Sequence, residues 1–226
     1  SVSANDADCD DVPTAEDCDD NDPNSLTKSQ DPECDGFYLA SNSVTVMCPD
    51  VGFDSAGVVD GVSYVKRSRE YLDSLPKEST EWSSVCTSDI TDMSELFSVL
   101  DEFNQDISSW DVSHVTDMSS MFDGARSFNQ DIGGWDVSNV TNMSEMFQGA
   151  KSFNQDIGEW DVSRVTDMSE MFKGAKSFNQ DLSNWCVDYF LSESYQFDAS
   201  LPSKPYQFDK GARAWKARRP VWGTCP

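Results

Sequence analysis

Large apolar residues in the middle of the chain recur every 25 positions. Residues 103–127 read FNQDISSWDVSHVTDMSSMFDGARS, residues 128–152 read FNQDIGGWDVSNVTNMSEMFQGAKS and residues 153–177 read FNQDIGEWDVSRVTDMSEMFKGAKS; 18 of the 25 positions agree in all three. A fourth unit begins at Phe178 (FNQDLSNWCVD), and a half unit, ITDMSELF at 90–97, precedes the first. The fixed apolar positions are Phe103, Ile107, Trp110, Val112, Val115, Met118, Met121 and Phe122, with equivalents in each unit. One unit cannot bury so many large groups alone, whereas neighbouring units can bury them against one another. Positions that vary accept a cation, an anion or an amide: His114/Asn139/Arg164, Ser120/Glu145/Glu170 and Asp123/Gln148/Lys173. Such positions face water.

Within a unit, Ile107-x-x-Trp110-x-Val112 has the spacing of a leucine-rich-repeat strand. Apolar residues at 115, 118, 121 and 122 follow the i, i+3, i+6, i+7 spacing of a short helix, with Thr116 placed as N-cap and Gly124 as C-terminal stop. The pattern therefore predicts an α/β solenoid of leucine-rich-repeat type, its parallel strands stacked about 4.8 Å apart and each followed by a short helix. Trp110, Trp135, Trp160 and Trp185 are expected to form one buried column. The Asn104, Asn129, Asn154, Asn179 row is expected to form a buried ladder that satisfies turn backbone groups.

The unit FNQDISSWDVSxVTDMSxMFxGAxS resembles the BspA-like bacterial surface-protein repeat over about residues 82–190. The flanking segments VTVMCPDVGFDSAGVVDGVSY and RPVWGTCP resemble the capping segments of that group. The resemblance implies a cell-surface or secreted protein linked to adhesion, without catalysis in its repeats. The opening DADCDDVPTAEDCDDNDPNS, which restarts as DPECDG, resembles the Asp/Cys-rich metal-binding repeat of MopE-like surface proteins. Four parts are expected: an acidic calcium-binding segment at 1–36, an N-terminal cap at 37–84, the repeats at 85–190 and a C-terminal cap with a basic stretch at 191–226.

Seven cysteines occur, with no C-x-x-C pair, so the chain reads as disulfide-bonded and held in an oxidising compartment rather than as a zinc ribbon or redox site. Cys86 and Cys186 stand four periods apart, and Asp111, Asp136 and Asp161 occupy the same repeat position between them. That column is expected to face outward as an acidic surface. The thiols at its two ends are expected to tie down the caps, as Cys48–Cys86 and Cys186–Cys225. Cys18 and Cys34 are also expected in disulfides, and the odd cysteine is expected to have its partner upstream of Ser1. Asp106, Asp131, Asp156 and Asp181 form a second column of carboxylates; such columns either hold a cation or receive a basic partner, or they accept hydrogen bonds from neighbouring turns.

The formal net charge is −25, which argues against a nucleic-acid partner, and no run of 18 apolar residues exists to span a membrane. Charge is uneven. Residues 1–36 carry twelve Asp or Glu against one Lys, a net of −11, while residues 204–219 carry six Lys or Arg against Asp209, a net of +5. Asp6, Asp8, Asp10 and Asp17 fall at positions 1, 3, 5 and 12 of an EF-hand-like loop, with Asp11 where glycine is usual. Asp19, Asn21 and Asp22 form a second oxygen cluster, and Asp31, Glu33 and Asp35, followed by Gly36, form a third. Hard oxygen donors at these spacings point to Ca2+.

Catalysis finds no motif. The single histidine, His114, occupies a variable position, and no phosphate loop or nucleophile elbow is present. The reading is a secreted or cell-surface calcium-binding module that is not an enzyme and that binds a protein or glycan or serves structurally. Its alternatives are a subunit of an extracellular filament, self-associating head to tail, and a polysaccharide-active enzyme.

Overall fold

The computed structural model describes residues 35–187 and 205–221. All regular secondary structure among them lies before the first complete unit at 103. Strands β1 (Tyr38–Leu39) and β2 (Val46–Met47) form an antiparallel pair. Asn42 holds their turn, its Oδ1 accepting the N–H groups of Val44 and Thr45. Strands β3 (Ala56–Val59) and β4 (Val62–Lys66) form a hairpin. Asp60 and Gly61 turn it, both at positive φ, as a tight two-residue turn demands. Helix α1 (Arg69–Ser74) is N-capped by Ser68 and buries Leu72. A 3₁₀ turn at Thr80–Ser84 leads into β5 (Val85–Cys86), which pairs in parallel with β4.

The repeats correct the expected fold class. Over 107–112 no strand forms, and over 115–125 no helix forms; successive turns take their place, with single-residue parallel bridges Asp92↔Asp117, Asp117↔Asn142 and Asn142↔Asp167. The α/β leucine-rich-repeat solenoid is therefore not the architecture of this chain. Two local causes can be named. Asp106, Asp111 and Asp117 each accept the N–H two residues on, from Ser108, Ser113 and Ser119, and each such Asx turn bends the chain where a strand or helix would run on. Ser120, Glu145 and Glu170 stand at φ 54, 59 and 57, and a left-handed residue cannot sit inside an α-helix.

Backbone bonds run between units as well as within their turns. The N–H groups of Met118, Ser120, Phe122 and Gly124 donate to the carbonyls of Asn142, Ser144, Met146 and Gln148, at 2.7–2.9 Å. Met143, Glu145, Phe147 and Gly149 do the same toward Asp167, Ser169, Met171 and Lys173. One row earlier, Met93, Glu95, Phe97 and Val99 donate to Asp117, Ser119, Met121 and Asp123. Over these stretches every second N–H thus points toward the following unit, whereas the N–H groups of Thr116, Thr141 and Thr166 donate back to the Thr91, Thr116 and Thr141 carbonyls.

The fixed apolar positions are buried, as their invariance requires. Phe97, Phe122, Phe147 and Phe172 stack at centroid spacings of 5.4–5.6 Å, and Phe103, Phe128, Phe153 and Phe178 at 5.8–6.1 Å. Trp82 closes one end of both stacks edge-on, and Trp215 closes the other. Each repeat tryptophan is buried, and its Nε1 donates to a carbonyl 28 residues earlier: Trp110 to Trp82, Trp135 to Ile107, Trp160 to Ile132 and Trp185 to Ile157. Burying the indole with its N–H satisfied avoids the cost of an unpaired donor.

The row after the third unit comes from residues 206–211. Glu170, Phe172 and Gly174 donate to the carbonyls of Tyr206, Phe208 and Lys210. Residues 206–215, YQFDKGARAW, thereby stand where SEMFKGAKSF stands at 169–178. The basic stretch is a diverged repeat row, and the shared K-G-A was the sequence signal for it.

Candidate functional site

Calcium is expected at the N-terminus, where Asp6, Asp8, Asp10, Asp17, Asp19, Asn21, Asp22, Asp31 and Glu33, together with Cys18 and Cys34, lie outside the described residues. Asp35 is described, and its carboxylate already serves the cap: Oδ1 accepts from Phe37 N–H at 3.0 Å and Oδ2 from Val58 N–H at 2.7 Å. Among the described residues no group of three His, Cys, Asp or Glu is placed to hold a metal ion.

The disulfide Cys48–Cys86 is present, with its Cα atoms 6.4 Å apart. It lies in a small core with Phe37, Val46 and Val59 and pins the cap to the first turn of the repeats. Cys186 is also disulfide-bonded, to a cysteine outside the described residues; Cys225 is among these. Disulfide bonding marks an oxidising environment. Beside the first bridge, Lys66 is buried with its Nζ on Asp89 Oδ2 and on the Pro49 carbonyl.

The acidic column is only partly a surface. Asp136 and Asp161 are exposed, but Asp111 is 2% exposed beneath the cap. Its Oδ2 accepts from Ser88 Oγ at 2.5 Å and its Oδ1 from Ser113 Oγ at 2.7 Å. The cap that Cys86 fastens covers this end of the column. A serine, a histidine and an aspartate meet here without forming a triad: Ser113 Oγ lies 3.3 Å from His114 Nδ1, but Asp111 bonds to the serine, not to the imidazole.

The second column, Asp106, Asp131, Asp156 and Asp181, is exposed throughout. Each Oδ1 accepts the N–H two residues on, at 3.0 Å. These carboxylates build turns and still present their second oxygen to water. Hydrogen bonds from the hydroxyl and N–H of Ser163 hold the Asp161 carboxyl below its ordinary range, and the N–H and hydroxyl of Ser183 do so for Asp181.

The asparagine ladder forms on the surface, which corrects its expected burial. Asn129, Asn154 and Asn179 donate their N–H groups to the side-chain oxygens of Asn104, Asn129 and Asn154, and the next glutamine in each unit donates to the backbone of the same asparagine. Their spacing foretold the ladder; its exposure was not legible.

The variable positions form the remaining candidate surface. Asn139 Nδ2 donates to the Ser113 carbonyl, and Arg164 Nη1 donates to Asn139 Oδ1 at 2.9 Å, so His114, Asn139 and Arg164 follow one another along neighbouring units. An open cavity of about 510 Å³ lies at the start of the repeats, lined by Lys77, Glu78, Val99, Leu100 and Asp101 among others. Among the described residues no helix is long and apolar enough to cross a membrane.

No curated protein and no solved structure matches the chain. Residues 70–185, half of the chain and all three complete units, match the model of a family described as Mycoplasma protein of unknown function, DUF285, and the chain belongs to that family.

Proposed function

We propose that this protein is an extracellular or cell-surface binding module, not an enzyme, that displays changeable side chains on an unchanging frame. The observation that carries this reading is the contrast between the two kinds of position. The 18 fixed residues of a unit fill the core or make the same turn and ladder bonds in every unit, while His114, Asn139 and Arg164 vary along one line, the first and last of them exposed and Asn139 half-buried. A frame whose core and asparagine ladder are built from the fixed residues lets His114, Asn139 and Arg164 change without loss of fold, which suits recognition of a protein or glycan surface. The resemblance to BspA-like surface repeats and the disulfides support the same setting.

Purified protein is applied to an array of bacterial and extracellular-matrix glycans and of basic and acidic proteins. Binding that is lost when His114 and Arg164 are both made Asn, with the melting transition unchanged, supports the reading. Binding that ignores those substitutions, or turnover of a glycan, sinks it. The N-terminal segment is proposed to bind Ca2+ through Asp6, Asp8, Asp10 and Asp17. Its twelve carboxylates repel one another, and a hard cation that gathers six to eight oxygens relieves that repulsion. Calorimetric titration tests this: no heat, together with proteolysis of residues 1–36 that calcium does not slow, refutes it.

A further inference from the structure

The first row of the repeats has an edge that should attract another row. Its carbonyls at Asp92, Ser94, Leu96 and Ser98 correspond to those of Asp117, Ser119, Met121 and Asp123, all four of which accept an N–H from the unit before. Among the described residues no unit precedes the first row. Arg69 takes two of the acceptors, its Nη1 donating to the Asp92 carbonyl at 3.2 Å and its Nη2 to the Ser94 carbonyl at 2.9 Å. Among the described residues no donor reaches the Leu96 and Ser98 carbonyls.

Val99 stands beside these two open acceptors, at the place held by Gly124, Gly149, Gly174 and Gly211 in the later rows. Its φ is +54, a conformation that costs a β-branched residue energy and costs glycine almost none. Its side chain is 74% exposed, so the strain is not offset by burial. The later glycines show where that side chain points. A Cβ on Gly149 would lie 3.6 Å from the Gly124 Cα, one on Gly174 3.8 Å from the Gly149 Cα, and one on Gly211 3.7 Å from the Gly174 Cα. Those distances are already van der Waals contact, so the γ-carbons of a valine would overlap the backbone of a preceding row. Val99 occupies the space that such a row would need, and it fits only because none is there.

We propose that Val99 and Arg69 together close the acceptor edge of the first row, so that a row from a second copy of this chain cannot add there. The complementary edge is the last row, where among the described residues the N–H groups of Gln207 and Gly211 find no acceptor. Without the guard, the last row of one copy would meet the first row of another in the bond pattern that joins units inside the chain, and such a heterologous contact propagates. Self-association driven by the charge asymmetry would have to use another face.

The test is sedimentation velocity of the full chain over a wide concentration range, comparing wild type with V99G and with R69S/V99G. Wild type is expected to stay monomeric. R69S/V99G is expected to gain mass with concentration, and V99G to do so more weakly. V99G is also expected to melt no lower than wild type, because glycine relieves the left-handed strain; this keeps the test alive if the loss of Arg69 impairs folding. A folded V99G and R69S/V99G that both sediment as wild type does would overturn the proposal. So would wild-type association that cross-linking maps to residues 92–99.

Discussion

The backbone N–H of Asn129 donates to the side-chain oxygen of Asn104 at 2.8 Å, and the side-chain oxygen of Asn129 accepts from Asn154 at 2.9 Å. Each asparagine is thus an acceptor for the next unit and a donor to the last. Asn129→Ala removes the acceptor and should cost about 1 kcal/mol by chemical denaturation. Asn129→Asp keeps the oxygen and should cost clearly less. Equal losses for the two would mean that the ladder does not depend on that oxygen.

Trp135 joins burial to a hydrogen bond, with its ring in the core and its Nε1 3.2 Å from the Ile107 carbonyl. Trp135→Ala should destabilise by about 3–5 kcal/mol, through the lost contacts and the cavity left behind. Trp135→Phe keeps most of the contacts and removes one of the two donors on that carbonyl, which still accepts the Trp110 N–H, so its loss should be intermediate.

The period and the core were legible because burial in one unit must be matched in its neighbours. Phe103, Ile107, Trp110, Val112, Val115, Met118, Met121 and Phe122 are all buried. The local structure was misread because apolar residues at 115, 118, 121 and 122 fit a chain of turns as well as a helix. The signal against a helix was also present: Asp106, Asp111 and Asp117 each stand two residues before a serine, the spacing of an Asx turn. Burial of Asp111 was not legible, since it depends on where a distant cap comes to rest.

Ser120 separates the two readings experimentally. At φ 54 it is left-handed, so Ser120→Gly should leave stability unchanged or raise it, by up to about 1 kcal/mol. In a helix interior the same change would lower stability. A clear loss on thermal unfolding would contradict the turn geometry.

Cys48–Cys86 joins residues 38 apart and fastens the cap over Asp111. Its removal by C48S/C86S should cost about 2–4 kcal/mol. Limited proteolysis should then cut within 37–84 before it cuts the repeats. Peptide mapping without reduction should recover Cys48 joined to Cys86.

Acid should weaken the repeats through their turns. The folded carboxyls of Asp161 and Asp181 lie below their ordinary value of 3.8, so the unfolded chain binds more protons and stability rises with pH. Their contribution is complete above about pH 4 and is lost as pH falls through the lowered folded values. Asp123, pushed upward by burial, acts in the opposite sense. Melting temperature measured downward from pH 5 should fall, and Asp161→Asn should flatten that fall.

The direction shared by the bonds that join residues 93–99 and their equivalents to the next row has an electrical consequence. Over residues 92–99 and their equivalents the peptide dipoles add across separate turns of the chain, with carbonyls toward the first row and N–H groups toward the last, while the Thr116, Thr141, Thr166, Ser127, Ser152 and Ser177 N–H groups point the other way and offset part of the sum. The guanidinium of Arg69 sits at the partially negative pole. Lys210, Arg213, Lys216 and Arg218 stand at the partially positive one and add to it instead of opposing it. In a protein of net charge −25, these cations among the described residues gather at that pole.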